Sequence, residues 1–301
     1  MPTSLRCGLL AALLALHAYA AWAGQGRTVV DDAGHGLQAD PPARRIVALA
    51  PNLAELVFAA GAGAQLVGTV RGSDYPAAAA HVTGVGDAAG IDVERVLALR
   101  PDLVLAWASG NRPADVARLE ALGLRVYRSE ARTLEDVASS LRRIGQLAGT
   151  ASTADAAARE YENALAAIAH RVAPGTQPTV FIQIWDSPLM TVNGQHLVSR
   201  IVERCGGRNV FADLPVLAGS VSLEAVLAAN PDVIVAAVAP GGEAAVAGAW
   251  RRWTKVHAVA RGQVHAIDAD LVTRATPRIL QGVRSVCEWI ASSGGWHDAR
   301  P

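Results

Sequence analysis

Apolar and polar positions along this chain build one composite pattern that occurs twice. The first copy is Asp92-Val93-Glu94-Arg95-Val96-Leu97-Ala98-Leu99-Arg100-Pro101-Asp102-Leu103-Val104-Leu105-Ala106-Trp107. The second is Ser222-Leu223-Glu224-Ala225-Val226-Leu227-Ala228-Ala229-Asn230-Pro231-Asp232-Val233-Ile234-Val235-Ala236-Ala237. Glutamates 94 and 224, prolines 101 and 231, and aspartates 102 and 232 all keep the same offset. Each copy opens on an N-cap residue (Asp92, Ser222), has a carboxylate in its first turn, and continues as an apolar helix of about two turns. It then stops before a proline, because the residue preceding Pro avoids the right-handed helical region. The apolar run that follows does not alternate, as expected of a strand covered on both faces of a parallel sheet. A helix feeding directly into such a strand is half of a βαβ unit, and two copies predict two α/β lobes of similar plan.

The remaining pattern fits that plan. Further strands are predicted at 44–49, 66–70, 124–128, 179–184 and 263–267. Helices are predicted at 53–60, 114–122, 133–148, 196–204, 244–256 and 279–291, with Trp250 and Trp253 three apart on one helical face. Thr133 and Asp136 open their helix in a capping-box pattern. An Ala-rich helix at 152–172 lies between the repeat copies with no Gly-Ser linker, and at 1.5 Å per residue it would reach about 30 Å. It reads as a stiff strut between a first lobe at 24–151 and a second at 173–301, and a continuous strut implies small lobe motion. Two polar turns, Arg71 to Pro76 and Trp185-Asp186-Ser187-Pro188, follow strands at matching positions. Open α/β sheets place ligands at such C-terminal strand edges. Gly84-Val85-Gly86-Asp87-Ala88-Ala89 imitates a dinucleotide fingerprint, but no strand leads into it and no helix starts on it.

Composition narrows the function. The 301 residues are 51% hydrophobic and 18% charged, with Lys+Arg and Asp+Glu equal at 27 each, so no net field favours nucleic acid or an anionic membrane. Arg6, an apolar run at 8–21 and Ala21-Trp22-Ala23 predict a signal peptide cleaved near Ala23. Cys7 sits too early in it to be a lipoprotein acceptor. Removal of that segment leaves Cys205 and Cys287, an even pair in an oxidising compartment, which reads as a disulfide or as two buried thiols. His35, His81, His170, His196, His257, His265 and His297 show no H-x-H or H-x3-H spacing, so no metal site is expected. No nucleophile-base, zincin or P-loop pattern is present. An enzyme would have to use Asp74, Asp270 and Arg274, and none is the expectation.

The order of elements, together with Ser73-Asp74-Tyr75-Pro76, the segment from Asp92 to Val104, and Arg274-Ala275-Thr276-Pro277-Arg278-Ile279, resembles the periplasmic binding proteins of ABC importers for vitamin B12, heme and iron-siderophores. The likeness covers most of the chain after residue 23. It implies two Rossmann-like lobes with central parallel sheets joined by a long backbone helix, the class III arrangement. It also implies a monomeric, non-enzymatic receptor in the periplasm that binds a large cofactor-like ligand between the lobes. The corrinoid branch is the nearest, making cobalamin the expected ligand and heme or a ferric siderophore the alternatives. Carried over by position, the ligand would meet Tyr75, Trp107, Trp185, Asp270 and Arg274. Tyr75 would be a metal-binding phenolate in a heme binder. Where corrinoid binders often carry further aromatics, this chain has Ala88, Ile184, Met190 and Leu217. Cys205 and Cys287 fall where that branch has its disulfide. Glu94 and Glu224 would crown the two lobes and dock on arginines of the two permease subunits.

Overall fold

The computed structural model describes residues 27–87, 89–168 and 177–293. The expected signal peptide and Ala88 lie outside these. The chain begins with an antiparallel hairpin, β1 (Thr28–Val30) and β2 (Gly36–Gln38). The first lobe follows as β3 (Ile46–Ala48), α1 (Pro51–Ala59), β4 (Leu66–Gly68), a two-residue ribbon of β5 (Gly86–Asp87) and β6 (Gly90–Ile91), α2 (Val93–Ala98), β7 (Leu103–Trp107), α3 (Pro113–Ala121), β8 (Val126–Ser129) and α4 (Asp136–Ala148). Strands β4-β3-β7-β8 form a parallel sheet in that order. Its apolar runs are buried on both faces, as their lack of alternation requires. Pro51 ends the first strand and also starts α1, where its missing N–H is not needed. Of the fingerprint-like glycines, Gly86 belongs to β5 and Gly84 bridges Thr69, and neither heads a helix.

Helix α5 (Ala151–Ala167) follows, 17 residues or about 25 Å. The residues expected to carry it from 169 to 172 lie outside the described set. Ala154, Ala158, Tyr161 and Leu165 form its buried stripe against α4, and Gly145 leaves no room for a side chain opposite Ala154. Arg142 donates to Asp155 at 2.9 Å and to Glu162 at 2.6 Å across the pair. The reciprocal bonds of the expected capping box are present, the Asp136 N–H donating to the Thr133 hydroxyl (3.3 Å) and the Asp136 carboxylate accepting the Thr133 N–H (2.8 Å), but they close a turn before the helix, which begins at Asp136 and not at Thr133.

The second lobe comprises β9 (Thr179–Gln183), β10 (Trp185–Asp186), β11 (Leu189–Val192), α6 (Leu197–Arg204), β12 (Arg208–Asn209), β13 (Ala218–Ser220), α7 (Leu223–Ala229), β14 (Val233–Val238), α8 (Glu243–Trp250), α9 (His257–Ala260), β15 (Val264–Asp268), α10 (Asp270–Thr273) and α11 (Ile279–Ser293). Strands β12-β9-β14-β15 repeat the parallel sheet of the first lobe. One addition breaks the likeness. The turn at Trp185 is a hairpin, and β10-β11-β13 form an antiparallel sheet that the sequence pattern did not disclose. One expectation is corrected. Helix α8 ends at Trp250, so Trp253 leaves the helix on a following turn and does not share its face. Trp250 is buried edge-on against Phe181 at 5.8 Å, and its Nε1 donates to Gln183 at 2.8 Å. Arg252 covers the Trp253 ring instead.

Cys205, at the end of α6, is bonded to Cys287 in α11. Closing a loop across a separation of 82 residues constrains the unfolded chain by about 4–5 kcal/mol in the chain-entropy model.

Candidate functional site

Parallel strands aim all their C-terminal ends at one edge, so each lobe offers one rim of loops. Side chains on these rims are exposed even when large and apolar. Tyr75 follows β4 and is 44% exposed, Trp107 ends β7 at 37%, and Trp185 follows β9 at 60%. Val216 and Leu217, on the segment entering β13, are also exposed. Trp107 is held from two sides. Its backbone N–H donates to Asn111 at 2.7 Å, and the Asn111 amide reaches back to the Leu49 carbonyl at 2.8 Å. Gly110 lies against the indole so closely that a Cβ there would fall inside the ring.

Both lobes line a cavity of about 480 Å³: Asn52, Trp107, Glu130 and Arg132 come from the first, and His196, Leu217, Thr273 and Ala275 from the second. A neighbouring cavity of about 430 Å³ opens at the rim of the second lobe, between Trp185, Asp186, Ala237, Val246, Asp268 and Asp270. Ile184, noted in the sequence for lacking an aromatic ring, lines this second cavity. Met190, in β11, pairs with Ser220 and Trp185 and lines neither. A third, of about 590 Å³, lies along the first-lobe loop and includes Asp74 and Arg95.

The structure therefore brings Trp107 to the interlobe cavity and Trp185 and Asp270 to the adjoining one. It treats Tyr75 and Arg274 differently. Arg274 sits between the lobes and is surrounded by acceptors: Glu55 at 2.8 Å, Asp270 at 2.7 Å, Asp74 at 3.3 Å and the Gly72 carbonyl at 3.1 Å. Asp270 is thus its i,i+4 partner, as the spacing suggested, and the other three acceptors belong to the other lobe. Glu55, buried in α1, also accepts from Arg278 Nη2 at 2.8 Å, Arg278 Nε at 3.1 Å and the Thr276 hydroxyl at 2.9 Å. The Arg278 guanidinium stands 4.0 Å over the Tyr75 ring. One carboxylate, two guanidiniums and an aromatic face thus tie α1 and the Tyr75 loop to residues 270–278. Burial pushes the Asp270 carboxyl above its ordinary range; Arg274 opposes the rise, while Asp268 and Asp74 add to it.

Three participants escaped the sequence reading. Glu55 had a signal, a lone carboxylate in the apolar helix Leu53-Ala54-Glu55-Leu56-Val57. Arg278 stood in the quoted Arg274 motif without a role. His196, read only as the start of a helix, is its N-cap and lines the interlobe cavity; its Nδ1 accepts the Val198 N–H at 3.2 Å. Among the described residues, no group of three His, Cys, Asp or Glu is placed to hold a metal.

Glu94 and Glu224 occupy the same step of α2 and α7, behind N-caps Asp92 and Ser222, whose side chains accept from Arg95 N–H (2.9 Å) and Ala225 N–H (3.1 Å). Both glutamates are exposed.

Residues 46–271 match the family model described as periplasmic binding protein. The chain is 35% identical over 252 residues to the vitamin B12-binding protein of Vibrio cholerae serotype O1, covering 83% of this chain and 90% of that protein. The crystal structure of the periplasmic vitamin B12 binding protein BtuF of Vibrio cholerae superposes with a TM-score of 0.78 at 34% identity, covering 84% of this chain and 98% of that one. A periplasmic heme binding protein from Pseudomonas aeruginosa superposes with a TM-score of 0.74 at 26% identity, over 84% of this chain and 94% of that one.

Proposed function

The chain belongs to the periplasmic binding protein family, and from that premise we propose that it captures vitamin B12 or a related corrinoid in the interlobe cleft and delivers it to an ABC importer of the inner membrane. It is a solute-binding protein, as its relatives are, and not an enzyme. In this reading residues 1–23 export it to the periplasm, and the receptor consists of lobes 24–151 and 173–301 about the helix at 152–172.

The observation that carries the ligand choice is the exposure of broad aromatic faces at the rims of both lobes, Trp107 on the first and Trp185 on the second. Trp107 and Trp185 offer flat apolar surfaces to the faces of a macrocycle. Tyr75 holds Arg278 in place at the same rim. Around Trp185 the ionisable groups are Asp186, Asp268 and Asp270. Corrinoids present amides at their edge, which can donate to these carboxylates; heme presents two propionates, which they repel. Arg274, already among four acceptors, orients Asp270 and contributes less charge to a ligand than its sequence position suggested.

Two measurements test this. Protein purified from its native periplasm should carry a corrinoid absorption spectrum, whereas a heme or ferric siderophore spectrum selects the alternative ligand. Trp107→Ala with Trp185→Ala should weaken cyanocobalamin binding by at least tenfold, and unchanged affinity removes the aromatic faces from the site.

Delivery rests on the repeated glutamates. Neither Glu94 nor Glu224 forms an ion pair among the described residues. A first-turn carboxylate offsets the helix dipole by only about 0.3–1 kcal/mol, which does not require both lobes to keep one. Each docks on a basic residue of one subunit of a permease dimer through charge-assisted hydrogen bonds, centring the cleft over the channel. Glu94→Ala with Glu224→Ala should leave ligand affinity intact and reduce permease pull-down and uptake.

A further inference from the structure

We propose that His196 is a ligand-recognition residue of the cleft, a neutral imidazole whose Nε2–H donates to a carbonyl oxygen at the ligand's edge and which does not bind the ligand's metal. The assignment rests on the corrinoid reading above, since a corrin edge carries amide carbonyls.

The argument starts from the ring's two nitrogens. Nδ1 accepts the Val198 N–H at 3.2 Å as the N-cap contact of α6. An acceptor nitrogen holds a lone pair, so in the neutral ring the hydrogen is on Nε2. That N–H has no partner among the described residues, while the ring lines the cavity shared by the lobes, in company with Trp107, Leu217 and Thr273. Half-burial and the cap restrict the ring's rotation, so the donor is presented in a fixed place. Burial also holds the imidazole at a pKa of about 4, keeping it uncharged at neutral pH, and the positive end of α6 acts in the same direction.

The same geometry argues against metal ligation. To coordinate cobalt or iron, Nε2 would need its lone pair, which moves the hydrogen to Nδ1. Two N–H groups would then face each other across the cap, and the first turn of α6 would lose its acceptor. His196 therefore serves the ligand's organic edge, where an unpaired buried carbonyl would otherwise be the penalty.

The test is isothermal titration of the mature protein with cyanocobalamin, paired with thermal unfolding. His196→Asn keeps a strong helix-capping residue but shortens the side chain, so affinity should fall about tenfold with little change in unfolding temperature. His196→Gln keeps an N–H at greater reach and caps poorly, so it should bind within about threefold of the unmutated protein while unfolding earlier. Unmutated affinity in His196→Asn would reduce His196 to a cap and overturn the proposal. Aquocobalamin should keep its free visible spectrum on binding; a shift to nitrogen ligation that disappears in His196→Asn would also overturn it. No cyanocobalamin binding by the unmutated protein would instead overturn the corrinoid reading itself.

Discussion

The two copies of the repeated unit agree in detail from helix cap to strand foot and part company where the strands end. In the first lobe Asp92 caps α2, Arg100 turns left-handed (φ 47°) before Pro101, and the Asp102 carboxylate accepts the N–H groups of Arg44 (2.8 Å) and Arg45 (3.0 Å) at the foot of β3. In the second, Ser222 caps α7, Asn230 turns left-handed (φ 43°) before Pro231, and Asp232 accepts the N–H (3.0 Å) and hydroxyl (2.8 Å) of Thr179 at the foot of β9. At the C-terminal strand ends the lobes share little. β7 delivers Trp107 directly to the cleft, whereas β14 ends under Ala269, whose N–H donates to Val238 at 2.8 Å. Here the second lobe adds the β10-β11-β13 sheet with Trp185. The strand feet are duplicated; the strand tips, the edge where open α/β sheets place ligands, are not.

The bond between the lobes lies outside the duplication, and breaking it should have the largest effect. Glu55→Ala leaves Arg274 and Arg278 without their shared, buried counter-charge. Truncating one partner of such a cluster costs about 3–5 kcal/mol, to be measured by denaturant unfolding. Glu55→Gln, which keeps an acceptor, should lose less. Scattering of the Glu55→Ala protein should show a looser arrangement of the lobes than the unmutated protein. A loss under about 1 kcal/mol would place the network with ordinary surface pairs.

The duplicated feet should each matter less. Asp102→Ala and Asp232→Ala each strand backbone donors at the start of a strand, a cost of about 1–3 kcal/mol. Their pH dependence sharpens the comparison. Burial alone would raise the Asp232 carboxyl, but hydrogen bonds from the Thr179 backbone and hydroxyl, with the charges of His257 and Arg261, hold it below its ordinary range. A depressed carboxyl stabilises the fold above its unfolded pKa and loses that contribution as pH falls through its folded value. The stability gap between the unmutated protein and Asp232→Asn should therefore be constant from neutral pH to about 5 and close only below about 4. A gap that stays constant to below about pH 3 would mean that the Asp232 charge contributes nothing to the second foot.

What could be read from the chain divides along the same line. The repeated unit was legible because each device is local: a cap, a first-turn carboxylate, a residue before proline, an aspartate after it. The parallel strands were legible because burial on both faces removes alternation. The Asp270–Arg274 pair was legible at four residues' separation. Glu55 bonds to groups more than two hundred residues away, and no local period announces a partner at that range. The Trp185 hairpin was hidden because β10 has two residues, too few for any alternation, and its sheet is completed by β13 after α6 and β12 intervene. His196 was hidden because its cap contact is local but the cavity it lines is assembled by both lobes.

The finest test of the duplication lies in its two left-handed residues, Arg100 and Asn230, the only non-glycine residues with positive φ among those described. Their backbones are nearly the same, yet glycine should act on them in opposite senses. The left-handed region costs a residue with a Cβ roughly 1–2 kcal/mol, and Asn tolerates it better than Arg. The Arg100 side chain is exposed and makes no hydrogen bond among the described residues, so Arg100→Gly removes strain and loses only chain entropy, about 0.4–1 kcal/mol. Its net effect should be a stabilisation of up to about 1 kcal/mol. Asn230 has acquired a second role: its side-chain oxygen accepts the His257 N–H at 2.8 Å, at the start of α9. Asn230→Gly relieves little strain and removes that bond, so it should destabilise by about 1 kcal/mol. Thermal unfolding of the two variants reads the signs directly. Equal shifts of the same sign would show that backbone conformation alone governs both copies, and that the Asn230–His257 contact contributes nothing to holding α9 against the second sheet.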